Sequence, residues 1–162
     1  GYRTGFVGKY GVGDNVPPPA ERFDFWRGFT GQGVYEGKDG VHITDRMTRQ
    51  ALEFLEDPDT DRPFCLSVSY KAPHHQDGDP RQYIPAARHR ALYADAAIAP
   101  PPGQDFDALP PFLQRSEGRV RWALRFDTPE RHAESVRNYH RLIQGVDDSV
   151  GEIVQALRRT GR

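Results

Sequence analysis

Between Val136 and Leu157 the apolar residues Val136, Tyr139, Ile143, Val146, Val150, Ile153 and Leu157 recur at steps of three and four. Such spacing gathers on one side of a helix, where 3.6 residues complete a turn. The punctuation agrees at both ends. Thr128 can cap the start, Pro129 suits the first helical position and Glu130 the first turn. Arg158 and Arg159 suit the last turn, and Gly161 the residue beyond it. At 1.5 Å per residue the helix would be about 45 Å long. A coiled coil would need more heptads flanked by charged positions. The stripe therefore predicts a packing face, and the rest of the chain must supply something broad for it to lie on.

That surface is legible further upstream. Phe64, Leu66, Val68 and Tyr70 alternate with Cys65, Ser67 and Ser69, which reads as a strand. Before it, Met47, Ala51, Phe54 and Leu55 share one face of a helix over Arg46 to Glu56. Thr44 or Asp45 is the expected cap, and Asp57-Pro58 ends it. A helix followed by a strand at this spacing predicts an α/β fold with a mostly parallel sheet. Thr4 to Gly8 reads as a second short buried strand, running into a Gly-rich turn from Gly8 to Asp14. Asn15 to Gly40, rich in prolines and aromatics without a period, is expected to be one long ordered loop. Arg88 to Ala96 is expected to form a short helix, and Arg119 to Phe126 fits either a strand or a helix. Sixteen glycines, fourteen prolines and an apolar fraction of 36% predict much ordered loop that needs a scaffold beneath it.

Several function classes are excluded. A net charge of −1 without a basic face argues against a nucleic-acid partner. No apolar run approaches the roughly 18 residues of a membrane span. Gly8-Lys9 is followed by Tyr10, and Arg3 stands where a P-loop would begin with Gly, so there is no Walker A loop. HExxH and GxSxG are absent, and the six histidines lack zinc-ligand spacing. The single cysteine, Cys65, excludes an internal disulfide and reads as a small buried residue in mid-strand.

What remains is specific. Gly1-Tyr2, Thr4 and Gly8-Lys9-Tyr10 resemble the second signature of the type I sulfatases. Four later segments resemble the same family in the right order. They are Gly31-Gln32-Gly33-Val34-Tyr35; Ile43-Thr44-Asp45 through Phe54-Leu55 to Pro63-Phe64; Lys71-Ala72-Pro73-His74; and Tyr139 to Gly161 with Val146-Asp147-Asp148. The resemblance implies a partial alkaline-phosphatase-like fold, with residues 1–162 an internal part of a single catalytic domain. It also implies a formylglycine nucleophile and one divalent cation, calcium, held by Asp and Asn side chains. Neither the nucleophile motif nor those ligands match positions in this sequence, so both are expected outside the chain, and the chain alone is expected to be inactive. Gly1 opens without a Met or a signal segment, and Gly161-Arg162 closes where a helix would be capped, which fits an internal piece.

Two family residues carry over. Lys9 matches the signature lysine that contacts the sulfate, and His74 the histidine that approaches the ester oxygen. Sulfate-ester cleavage develops negative charge on the sulfate oxygens and on the leaving group. A fixed ammonium stabilises that charge, and an imidazole titrating near neutrality can protonate the departing oxygen. The substrate implied is a sulfated small molecule or sugar, and the compartment periplasmic or extracellular. His75 reads as rim or structural, and Asp147-Asp148 as a solvated or capping pair. One departure stands out: the family usually has His two residues after the signature lysine, and here that position is Gly11. A phosphonate or phosphate ester hydrolase of the same superfamily, or a non-catalytic sulfatase-like binding module, are the competing readings. The aromatics Phe23, Phe25, Trp26, Phe29 and Tyr35 could line a pocket or staple the long loop to the core.

Overall fold

The computed structural model describes residues 1–12, 17–58, 62–102 and 105–162. The second half of the expected Gly-rich turn, Gly13 and Asp14, and the start of the long loop at Asn15 lie outside the described residues.

Three strands, β1 (Arg3–Lys9), β2 (Phe25–Phe29) and β3 (Phe64–Ser69), form a parallel sheet in the order β2-β1-β3. The α/β class expected from sequence is the one observed. β2 corrects the expectation of an unbroken loop over Asn15 to Gly40. Its five residues, Phe-Trp-Arg-Gly-Phe, carry no polar alternation, and pairing with β1 from Gly5↔Phe25 to Lys9↔Phe29 sets its conformation.

Helix α1 (Ile43–Leu55) covers one face of the sheet. Met47, Ala51, Phe54 and Leu55 are all buried, as their spacing predicts. The cap is His42, not Thr44 or Asp45. Its Nδ1 accepts from the Thr44 amide at 3.3 Å, and its Nε2–H then donates to Ile84 O at 2.9 Å. Two loops and a helix start are thus tied by one imidazole.

Helices α2 (Pro111–Gln114) and α3 (Glu117–Phe126) follow the Pro-rich stretch. Ser116 Oγ accepts from the Arg119 amide at 3.1 Å, which settles the ambiguous segment as a helix. The expected helix over Arg88 to Ala96 is instead one 3-10 turn at Ala87–His89 followed by irregular turns, with Tyr93 at φ 59°. A left-handed residue there ends helical propagation.

The last helix, α4 (Pro129–Thr160), has the expected caps. Thr128 Oγ1 accepts from the Arg131 amide, and Gly161 closes it in the left-handed conformation at φ 68°. Its packing face is the expected one only in part. Val146, Ile153 and Leu157 pack against the core, and Leu142, Gly145, Ser149 and Ala156 beside them are buried, whereas Tyr139, Ile143 and Val150 from the apolar stripe are exposed. Small residues let α4 approach α1 closely, so backbone proximity, rather than side-chain size, chooses the face. Polar bonds lock the seam: Thr48 Oγ1 donates to Ser149 Oγ at 2.6 Å, and Tyr70 Oη lies 2.5 Å from the same hydroxyl.

Candidate active site

Parallel strands deliver their C-terminal ends to one edge of a sheet, and loops leaving that edge are where α/β proteins build sites. Here Gly8 pairs with Ser69, so Lys9 and Tyr70 leave the sheet side by side, and Lys71 follows at once. Gly8 has φ 104°, and a Cβ on it would sit 2.2 Å from Ser69 O. Only glycine allows the strand to turn this close to its neighbour. The turn sends the half-buried Lys9 toward the Gly31-Gln32-Gly33 loop, where its Nζ donates to Gln32 Oε1 at 2.6 Å.

After β3 the chain makes a tight turn through the cis Ala72–Pro73 peptide. The His74 amide donates back to Lys71 O at 2.9 Å. Tyr35 is fully buried beneath, and its hydroxyl donates to His74 O at 2.6 Å. Burial raises the Tyr35 pKa, which keeps the phenol a donor. The Tyr35 amide donates to Gln76 Oε1 at 2.7 Å, tying the Gly-rich loop to the chain just past the histidines.

His74 is exposed, and its Nδ1–H donates to His75 O at 2.7 Å. That bond fixes the tautomer and leaves Nε2 without a protein partner among the described residues. The two histidine rings stack at a centroid distance of 4.3 Å. His75 is held below the usual imidazole range, first by burial, then by the charges of Arg125 and His74, with Asp77 opposing. Its Nε2 lies 3.0 Å from Asp77 Oδ1, off the hydrogen-bonding axis. His75 thus reads as the neutral support of His74, in line with the structural role expected for it.

Lys71 was passed over in the sequence except as a letter of the Lys-Ala-Pro-His run. It is 2% exposed. Its Nζ donates to His75 O at 3.2 Å and lies 4.9 Å from the centroid of the Tyr35 ring. Its pKa is lowered, chiefly by burial and then by the nearby charge of Lys9. Neither Lys9 nor Lys71 has a carboxylate within ion-pair distance among the described residues. Tyr35 was equally undervalued. The Gly-Gln-Gly-x-Tyr pattern pointed at it, but only the fold shows it holding the histidine turn.

The strand ends therefore bring the turn bearing Lys9 and the turn bearing His74 to one edge of the sheet, with ammonium groups that no described carboxylate pairs with at ion-pair distance. Such a site can draw in an anion and present it to an imidazole nitrogen. It contrasts with a cleft of about 510 Å³ lined by Arg81, Arg90, Arg131 and Arg141. There Arg81 and Arg90 pair with Glu36, Arg131 with Asp127, and Arg141 with Glu134.

Other singled-out residues fall elsewhere. Gly11 is exposed beside the undescribed segment. Cys65 is exposed rather than buried, because α1 and α4 cover the opposite face of β3. Asp148 is not merely solvated: it meets His89 Nε2 at 2.7 Å and Gln144 Nε2 at 2.9 Å, pinning α4 to the turn at Ala87–His89. The loop aromatics act as staples. Phe25 packs on Phe54, and Phe23 and Trp26 pack on Phe6. Among the described residues no three His, Cys, Asp or Glu side chains converge to hold a metal ion, so the residues present do not fit one. No described helix is long and apolar enough to cross a membrane.

The sequence profile of the family described as Sulfatase matches residues 1–162. An N-acetylglucosamine-6-O-sulfatase of Bacteroides thetaiotaomicron is 35% identical over 120 residues, covering 66% of this chain and 20% of that protein. A choline-sulfatase of Rhizobium meliloti is 31% identical over 168 residues, covering 96% of this chain and 31% of that protein. The crystal structure of Ps i-CgsB in complex with k-i-k-neocarrahexaose shares the fold at a TM-score of 0.60 and 20% identity, over 99% of this chain and 34% of that one. The chain thus spans between a fifth and about a third of the length of the proteins it matches.

Proposed function

We propose, from the premise that this chain belongs to the sulfatase family, that it forms the anion-binding side of an active site that hydrolyses sulfate monoesters. In this reading residues 1–162 are an internal part of one catalytic domain. The formylglycine nucleophile and the divalent cation, calcium, which family resemblance implies, come from outside these residues. The observation that carries the reading is the shared edge: Lys9 ends β1, and His74 follows the end of the adjacent parallel strand β3.

Lys9 supplies a fixed positive charge to the non-bridging sulfate oxygens, steadied by Gln32. The His74 ring is held through Nδ1, so Nε2 is the atom that meets the bridging oxygen. Because Nδ1 keeps its own proton, Nε2 can donate only when the ring is imidazolium; as the S–O bond breaks, that second proton passes to the leaving oxygen, which departs as an alcohol, and water supplies the oxygen that completes the sulfate. The sulfuryl group ends, after hydrolysis, as inorganic sulfate. Gly11 removes the imidazole usual at that position, and leaves His74 as the exposed imidazole of these two turns, with the half-buried His75 behind it.

The substrate class supported by the relatives is a sulfated sugar or small molecule, since one matched protein is named for a 6-O-sulfated amino sugar and another for choline sulfate. A periplasmic or extracellular location goes with this reading and is checked by fractionating the source cells. The test of activity is hydrolysis of 4-nitrophenyl sulfate by the polypeptide expressed from the complete reading frame. Turnover of sulfate esters well above that of phenylphosphonate esters is expected. Preference for the phosphonate would transfer the site to the competing ester class, and hydrolysis of neither would leave a binding module.

A further inference from the structure

A lysine that is 2% exposed is costly to keep, because an ammonium out of water needs strong partners. Lys71 has a carbonyl and an aromatic face, with no carboxylate within ion-pair distance among the described residues. A packing role alone would be filled more cheaply by Met or Leu. What distinguishes Lys71 is the identity of its two neighbours. The carbonyl it grips, His75 O, is the one that receives the Nδ1–H of His74. The ring it faces, Tyr35, is the one whose hydroxyl donates to His74 O. Both holds on His74 thus run through groups that Lys71 touches.

We propose that Lys71 is a positioning residue for His74, fixing the His75 carbonyl and the Tyr35 ring so that His74 keeps Nδ1 bound and Nε2 presented to the leaving oxygen. This deepens the sulfatase reading and rests on it. A carbonyl oxygen has two lone pairs and can accept from both donors at once. The ammonium at 3.2 Å therefore anchors the acceptor without displacing the imidazole at 2.7 Å. The groups that face Lys71 are Lys9 at the end of β1, Tyr35 in the Gly-rich loop, and His75 and Asp77 in its own turn. The lowered basicity of Lys71 is in keeping with that surrounding. The arrangement parallels the general rule that a catalytic imidazole is oriented by the partner of its other nitrogen.

The test uses the polypeptide from the complete reading frame and two substrates, 4-nitrophenyl sulfate and an alkyl sulfate. Nitrophenolate leaves with little help from an acid, whereas an alkoxide needs the His74 proton. Lys71→Met should lower kcat on the alkyl sulfate by about tenfold or more, the scale of lost orienting partners. It should change kcat on 4-nitrophenyl sulfate by less than about threefold, with KM little altered, so the ratio of the two rates falls. If Lys71→Met does not fold, Lys71→Gln is read on the same ratio, its shorter side chain being unable to reach His75 O. A folded variant with a wild-type ratio of the two rates overturns the proposal. So does an equal loss on both substrates, which would mark a structural role alone. If the unsubstituted protein cleaves neither ester, the sulfatase reading itself falls and takes this one with it. Active wild-type protein with an unchanged variant overturns only the role of Lys71.

Discussion

The seam between α1 and α4 and the edge where β1 and β3 end are both rich in polar side chains, but they are satisfied differently. Along the seam, Ser149 meets Thr48 and Tyr70, and Asp148 meets His89 and Gln144. Nearby, Arg88 makes a two-pronged bond to Asp45, at 2.8 and 2.7 Å. At the strand ends, among the described residues, Lys9 has only the neutral Gln32 amide as its hydrogen-bond partner, and Lys71 only a carbonyl. Closed polar networks fix a scaffold, whereas uncompensated charge is stable only when something else completes it. In the proposed reading that difference, more than any pocket shape, separates the working end of this fold from the end that holds it.

If it is real, substitutions at the two places should fail in different ways. The largest effect is expected at Lys9. In the complete protein, Lys9→Ala should cost about 10²–10³-fold in kcat/KM for sulfate esters, the range for losing one fixed donor to a developing anion. Its melting temperature should stay near wild type, since the side chain is half-exposed and bonded only to Gln32. Next is His74→Ala, with a loss of about 10²-fold on alkyl sulfates and much less on 4-nitrophenyl sulfate. Equal losses on both esters would remove His74 from leaving-group protonation. At the seam the signs reverse. Ser149→Ala should destabilise by about 1–3 kcal/mol in denaturant unfolding, by leaving the part-buried Tyr70 hydroxyl without its Ser149 partner while Thr48 keeps its bond to Thr44 O, and kcat per folded molecule should hold.

The smallest effect is electrostatic. The Asp45 carboxyl is held below the usual carboxylate range, first by the Arg88 hydrogen bonds, with partial burial opposing. A carboxylate whose folded pKa is depressed stabilises the fold fully above its unfolded value, about 3.9. That contribution is lost as pH falls through the lower folded value. Half-exposure of Arg88 limits it to under about 1 kcal/mol. Arg88→Ala should therefore lower the melting temperature slightly at neutral pH, and the difference should vanish in acid. A difference that grew in acid would contradict the pairing.

Much of this was readable in the residues, and the exceptions have physical causes. The spacing of Met47, Ala51, Phe54 and Leu55 gave α1 its face, because side-chain periodicity and burial coincide there. In α4 they coincide only in part. Val146, Ile153 and Leu157 of the stripe pack on the core, but Tyr139, Ile143 and Val150 face outward while Gly145, Ser149 and Ala156 are buried, and small residues carry no hydropathic signal. β2 was hidden because a five-residue edge strand takes its conformation from its neighbour. Lys9 and His74 were legible through motif likeness, and the parallel register then carried their turns to one edge. Lys71 and Tyr35 were not, since their importance lies in partners about forty residues apart in the chain. His42 as a cap was equally silent, because its second bond, to Ile84 O, exists only after the loop has folded over it.

The most direct measurement is a crystal structure of the complete protein with a bound sulfate ester or inorganic sulfate. The anion should lie within about 2.7–3.2 Å of Lys9 Nζ, with the ester oxygen toward His74 Nε2. An anion seated instead among Arg81, Arg90, Arg131 and Arg141, or touching only one of Lys9 and His74, would contradict a shared pocket at the strand ends.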